Sequence, residues 1–156
     1  MALGALIGAY QEDDEGGLRA LLPLAGRTLI EYQARCLAAA GTVPLTVLVE
    51  RVPPALNEAF ERLRGEGIAV VPVSDGNEAA SRFEAGSQLI LLADGMAPDM
   101  GDLELLLEEG DGAVITVPDD EAHDGFERID AQHRWAGLAK VDANMLGATA
   151  AMLGDW

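Results

Sequence analysis

Short apolar runs recur along the chain, separated by segments whose apolar residues fall at helical spacing. Ala5–Tyr10, with Leu3 before it, is the first run; Leu45–Val49, Ile68–Val73, Leu89–Leu92 and Ala113–Val117 follow. Leu45–Val49 and Leu89–Leu92 are continuous rather than alternating, the pattern of strands covered on both faces. Between the runs, Thr28 and Glu31 form a capping box that opens a helix. Leu29, Tyr32, Cys36, Leu37 and Ala40 make its apolar face, and Gly41 stops it. Pro53-Pro54 starts a second helix with Leu56, Ala59, Phe60 and Leu63 on one side, ended by Gly65 or Gly67. Ser74–Asn77 reads as a turn before a short helix over Glu78–Glu84. Asp99 or Asp102 caps a further helix through Glu109, with Leu103, Leu106 and Leu107 inward. Leu18–Gly26 is an apolar segment without a regular period.

Strand and helix alternate from Ala5 to Val117, which predicts βαβ units, right-handed crossovers and a mostly parallel sheet. Phe126–Ile129 and Trp135–Val141 flank Asp130–Arg134 and read as a hairpin, which makes the sheet mixed. Ala143–Leu153 reads as a short apolar helix. The expected class is α/β, with three α/β/α layers around a mostly parallel mixed sheet, as one domain over residues 1–156.

Composition narrows the partners. The formal net charge is −17, from 27 acids against 10 bases, and Lys140 is the single lysine. Such a surface repels nucleic acid and anionic lipid, so neither is an expected partner. Hydrophobic residues make up 49 % of the chain but aromatics only 4 %, so the core is aliphatic. Cys36 is the one cysteine, which rules out an intrachain disulfide and fits a cytoplasmic location. Met1–Tyr10 lacks a basic leader and runs straight into the acidic Gln11–Glu15, so it reads as a core strand rather than a signal peptide. No apolar run is long enough to span a membrane.

Candidate chemistry concentrates where the Leu89–Leu92 run breaks into Ala93-Asp94-Gly95 and Pro98-Asp99. Ligands of open α/β sheets sit beyond the carboxyl ends of central strands, which would aim Asp94 into the crevice with Asp99 on the following loop. Paired carboxylates there suit Mg²⁺ or Mn²⁺, which take oxygen ligands and bridge substrate phosphates. The alternatives are that Asp94-Gly95 is only a turn and that Asp99 only caps a helix. Elsewhere the signals are structural. His123 and His133 lie in polar loops without Cys or His partners at zinc-ligand spacing. Ser74, Ser81 and Ser87 lack the Gly-x-Ser-x-Gly elbow. Cys36 falls on an apolar helix face, and Asp119-Asp120-Glu121 with Asp124 reads as a solvated acidic loop.

Arg19-Ala-Leu-Leu-Pro-Leu-Ala-Gly-Arg-Thr-Leu-Ile-Glu-Tyr-Gln33 resembles the opening of sugar-phosphate and molybdopterin-guanine-type nucleotidyltransferases. In that family a first strand leads to a Gly-rich loop, a Lys, a Leu-Pro-x-x-Gly-Lys-Pro-Leu-Ile segment and the first helix. Gly76-Asn-Glu-Ala-Ala80 falls where the family has its base-contacting turn, and Leu91-Leu-Ala-Asp94 where it has its metal-binding Asp. The resemblance covers roughly the first two-thirds of the chain. It implies a glycosyltransferase A-type fold and transfer of NMP from an NTP to a phosphorylated sugar or alcohol, assisted by Mg²⁺ or Mn²⁺. On that map Ile7, Gly8 and Ala9 flank the nucleotide, Arg19 stands for the catalytic Lys, Gly76 and Asn77 meet the base, and Asp94 meets the metal.

The chain departs from the family in its phosphate loop. Gln11-Glu-Asp-Asp-Glu15 replaces a Gly-rich, Arg-containing loop whose N–H groups hold the triphosphate. Each close pair of negative charges costs about 1 kcal/mol at ~4 Å in water, and more where water is excluded. Arg19 in place of Lys keeps the charge but changes its geometry. Family members usually run longer and carry a later Asp, so the expectation includes a C-terminal truncation. Two alternatives follow. One is a non-catalytic binding, regulatory or oligomerisation module of the same fold, with a homo-oligomer possible. The other is a nucleotide-sugar-dependent glycosyltransferase, which Ala80-Ser-Arg-Phe-Glu-Ala-Gly86 followed by Ala93-Asp94 also resembles.

Overall fold

The computed structural model describes residues 3–84, 86–109, 112–123 and 128–143. The helix expected over Ala143–Leu153 lies outside them apart from Ala143, as do Phe126 and Glu127 of the expected hairpin. The strands are β1 (Leu3–Gly8), β2 (Pro23–Leu24), β3 (Arg27–Thr28), β4 (Leu45–Leu48), β5 (Val70–Val73), β6 (Gln88–Leu92), β7 (Ala113–Pro118) and β8 (His133–Asp142). The helices are α1 (Leu29–Ala39), α2 (Pro54–Gly65), α3 (Gly76–Ser81) and α4 (Met100–Glu108).

The main sheet runs β5-β4-β1-β6-β8-β7. Its first four strands are parallel, and β8 lies antiparallel to both β6 and β7. Side chains alternate between its faces, so each continuous apolar run feeds two layers. Ala5, Ile7, Ile90 and Leu92 meet Ile30, Leu37, Phe60, Leu63 and Leu103 of α1, α2 and α4. Leu6, Leu89 and Leu91 turn to the opposite face, against Ala79 of α3 and Phe83. Full burial of such a side chain contributes roughly 1.5–3 kcal/mol. This is the expected three-layer, mostly parallel architecture. No described helix is long and apolar enough to cross a membrane.

Three local expectations are sharpened. The Trp135 segment takes β6 and β7 as its partners; among the described residues of the expected hairpin, Arg128 bridges Arg134 and Ile129 N donates to His133 O at 3.0 Å. Leu138 and Ala139 are buried, which rewards insertion of β8 beside β6 over a detached hairpin. Leu18–Gly26 is ordered as a 3₁₀ turn over Arg19–Leu21 followed by the β2–β3 ribbon. The short helix starts at Gly76 rather than Glu78, because Asp75 caps it by accepting from Glu78 N at 2.8 Å. Lys140, the single lysine, donates to Glu109 O at 2.9 Å, beyond the last turn of α4, where a cation offsets the helix dipole.

Candidate functional site

β6 ends at Leu92, level with Ile7 of β1. Beyond it, Met96 N donates to Ala93 O at 3.4 Å and closes a tight turn around Asp94-Gly95. Gly95 has φ +76°, a conformation that favours glycine at the third position of such a turn. The turn directs Asp94 at the end of β1. Asp94 Oδ2 accepts from Tyr10 N and Gln11 N, both at 2.6 Å. Gly8 permits the approach: a Cβ there would lie 3.2 Å from Asp94 N and 3.3 Å from Asp94 Cβ. Asp94 Oδ1 is buried and has no hydrogen-bond partner among the described residues. Burial pushes the carboxyl above its ordinary pKa, against the opposing pull of the Gln11 and Tyr10 N–H groups and the Arg19 charge.

Arg19 joins this cluster through Gln11. Arg19 N donates to Gln11 O at 3.0 Å, and Nη1 to Gln11 Oε1 at 2.9 Å. Its side chain lies over Gly95, where a Cβ would stand 3.0 Å from Arg19 Cδ. Gly8, Arg19 and Asp94 are therefore brought together. The backbone of Ile7 and Ala9 borders the same strand end, while their side chains are buried in the core. Gly76 and Asn77 follow β5 at the carboxyl edge of the sheet, with β4 between β5 and β1. Asn77 is exposed in the first turn of α3.

The acidic loop folds into a small hairpin closed by its own groups. Asp13 N donates to Gly17 O at 2.7 Å, and Asp13 Oδ1 accepts from Glu15 N at 2.9 Å and Gly17 N at 3.0 Å. Glu12 pairs with Arg51 at 3.3 Å. Asp14 and Glu15 stay exposed. Asp99 is the cap of α4, its Oδ1 accepting from Gly101 N at 2.8 Å and Asp102 N at 3.1 Å.

Sequence reasoning missed Gln11, Tyr32 and Gln33 as parts of this site. Gln11 bridges Asp94 to Arg19. Gln33 Nε2 donates to Met96 O at 2.7 Å, and Tyr32 Oη to Pro98 O at 3.3 Å, so α1 holds the loop after Asp94. The available signal was a polar residue inside an apolar stripe: Gln33 lies between Ile30 and Leu37 and is fully buried.

Among the described residues, no group of three or more His, Cys, Asp or Glu is arranged to hold a metal ion. The unpartnered Asp94 Oδ1 fits a different kind of site, in which one carboxylate oxygen is joined by substrate phosphates and water. Cys36 is buried, and desolvation raises its thiol pKa, which suits a core residue.

No protein-family model and no curated protein sequence matches the chain. Solved structures do. A CMP:2-keto-3-deoxy-manno-octonic acid synthetase complexed with CTP aligns with 97 % of this chain and 78 % of its own, at TM-score 0.66 and 15 % identity. A putative glucose-1-phosphate thymidylyltransferase from Bacillus anthracis, in complex with sucrose, aligns over 94 % and 74 %, at 0.64 and 10 %. The fold is the one these two solved structures share. A 4-diphosphocytidyl-2C-methyl-D-erythritolsynthase from Anaerococcus prevotii DSM 20548 aligns over 97 % and 76 %, at 0.63 and 12 %. At these identities the likeness concerns the fold. Within this fold, the Asp94–Gln11–Arg19 cluster occupies the carboxyl end of the central strands, where ligands of open α/β sheets bind.

Proposed function

We propose that this chain is a nucleotidyltransferase-type domain that binds a nucleoside triphosphate and passes its NMP to a phosphorylated sugar or alcohol. The observation that carries this reading is the joining of Asp94, Gln11 and Arg19 at the aligned ends of β1 and β6. A divalent cation, Mg²⁺ or Mn²⁺, would be held by Asp94 Oδ1 and the substrate phosphates, and would supply charge neutralisation at the reacting phosphorus. The exposed Arg19 would face the phosphates and offset the charge that develops on them. The backbone of Ile7, Gly8 and Ala9 would flank the nucleotide at the strand end, and Asn77 with Gly76 would contact the base. The acceptor phosphate attacks the α-phosphate of the NTP, and pyrophosphate leaves.

The test is thermal denaturation with each of the four NTPs, with and without MgCl₂, on the native chain and on Arg19→Ala. Stabilisation that needs both metal and nucleotide, and is lost in Arg19→Ala, supports the reading. No shift with any NTP or nucleotide-sugar counts against it.

One observation favours a second reading, a non-catalytic module of the same fold. The N–H groups of Tyr10, Gln11, Glu15 and Gly17 already bond carboxylates of the chain itself. A nucleotide would have to displace Asp94 Oδ2 or bind without those donors. Binding without pyrophosphate release, across phosphorylated sugars and alcohols, is the result that selects this reading.

A further inference from the structure

We infer that Gln33 is a positioning residue for Asp94, acting through the turn that carries it. The inference takes its catalytic meaning from the nucleotidyltransferase reading. Gln33 lies on α1, fully buried among apolar neighbours such as Ile30, Ala34 and Leu37. Its Nε2 donates to Met96 O at 2.7 Å. Met96 closes the Asp94-Gly95 turn through its own N–H, so Gln33 holds the closing residue of the turn by its carbonyl, one peptide further on. The turn is braced on another side by β8: Ala93 N donates to Gly137 O at 2.8 Å, and a Cβ at Gly137 would lie 2.9 Å from Met96 Cγ. Arg19 packs on Gly95. Asp94 therefore has little freedom to leave Tyr10 and Gln11 while these contacts hold.

Gln33 is a poor choice for stability alone. Its Oε1 is buried without a partner, and an amide with one end unmatched is unfavourable beside an apolar residue of similar volume. The amide gains its value from the bond to Met96 O, which an apolar residue cannot make. A network of this kind fixes a reactive side chain from a rigid element, here a helix on the far side of the loop.

The test is native-state hydrogen exchange, read at the Tyr10 and Gln11 amides without nucleotide, on Gln33→Met. The expected result is exchange at these two amides about tenfold faster, with the amides of α1 and β4 unchanged. Unchanged exchange at Tyr10 and Gln11, or acceleration shared by the whole sheet, overturns the inference. Gln33→Asn, whose amide is too short to reach Met96 O, serves with the same readout should Gln33→Met fail to fold. A second arm adds Mg²⁺ with the NTP that stabilises the native chain. Gln33→Met should reduce that stabilisation, and Gln33→Met/Asp94→Asn should be no worse than Asp94→Asn; full additivity overturns action through Asp94. Failure of every NTP to stabilise the native chain would overturn the proposed function, while the exchange result would still decide the positioning role.

Discussion

Glu31 and Asp94 are two carboxylates drawn out of water, and the fold treats them in opposite ways. Glu31, in the first turn of α1, is buried against α2 and is met by matching charge. Arg62 donates to its Oε1 from Nη2 at 2.7 Å and Nε at 3.2 Å, and Thr28 Oγ1 donates at 2.9 Å. Arg35 and Arg27 approach its Oε2 at 3.5 Å and 3.8 Å. The Arg62 hydrogen bonds, aided by Thr28, hold its pKa at about 2 despite burial. Asp94 has two backbone N–H groups and one nearby cation, and burial outweighs them, so its pKa rises. A carboxylate with its charge matched ties elements together. One left incompletely matched at a strand end keeps capacity for a ligand.

The largest expected effect lies at the matched site. Glu31→Leu should lower stability by about 2–3 kcal/mol in urea denaturation, less than for a fully buried pair because the freed Arg62 can hydrate. A loss below about 0.5 kcal/mol would mean that the arginine cluster contributes nothing beyond the cap. Next comes Asp99→Ala, which removes the α4 cap on the same loop as Asp94. It should cost about 1 kcal/mol and leave any nucleotide-dependent stabilisation intact. Loss of the nucleotide effect would move Asp99 into the site.

The smallest effect at neutral pH is expected from Asp94→Asn, because an amide oxygen can still accept from Tyr10 and Gln11. The pH dependence separates the two carboxylates by sign. Glu31, lowered from 4.5 to about 2, contributes stability above the unfolded value that is lost as pH falls toward 2. Asp94 is raised, so its contribution is fullest below its unfolded value and is lost as pH rises through the folded one. Measured from pH 7 down to pH 3, the advantage of the native chain over Asp94→Asn should grow. Its advantage over Glu31→Leu should shrink once the pH passes below 4.5. Parallel trends for the two variants would erase the distinction between the sites.

The sheet was legible because each buried strand is a run of its own, and the two-sided burial of Leu89–Leu92 left no alternation to misread. The Thr28–Glu31 capping box was legible because it is local, and Glu31 N does bond Thr28 Oγ1, at 3.4 Å. What Glu31 does with Arg62 was not, because that partner comes from another helix. The same limit applies at the site. Asp94 could be placed at a strand end from sequence, but its bonds to Tyr10 and Gln11 span a long stretch of chain and depend on β1 and β6 lying side by side. The pairing of the Trp135 segment with β6 and β7 was not legible for a related reason: both strands are distant in sequence.

The most direct measurement is an amide chemical-shift titration of the ¹⁵N-labelled chain with Mg²⁺ and the stabilising NTP. A phosphate-handling site at the ends of β1 and β6 should move the Tyr10, Gln11 and Gly95 amides first and furthest, and Asp94→Asn should abolish the change. Saturable binding that leaves those three amides still and perturbs another face would contradict it.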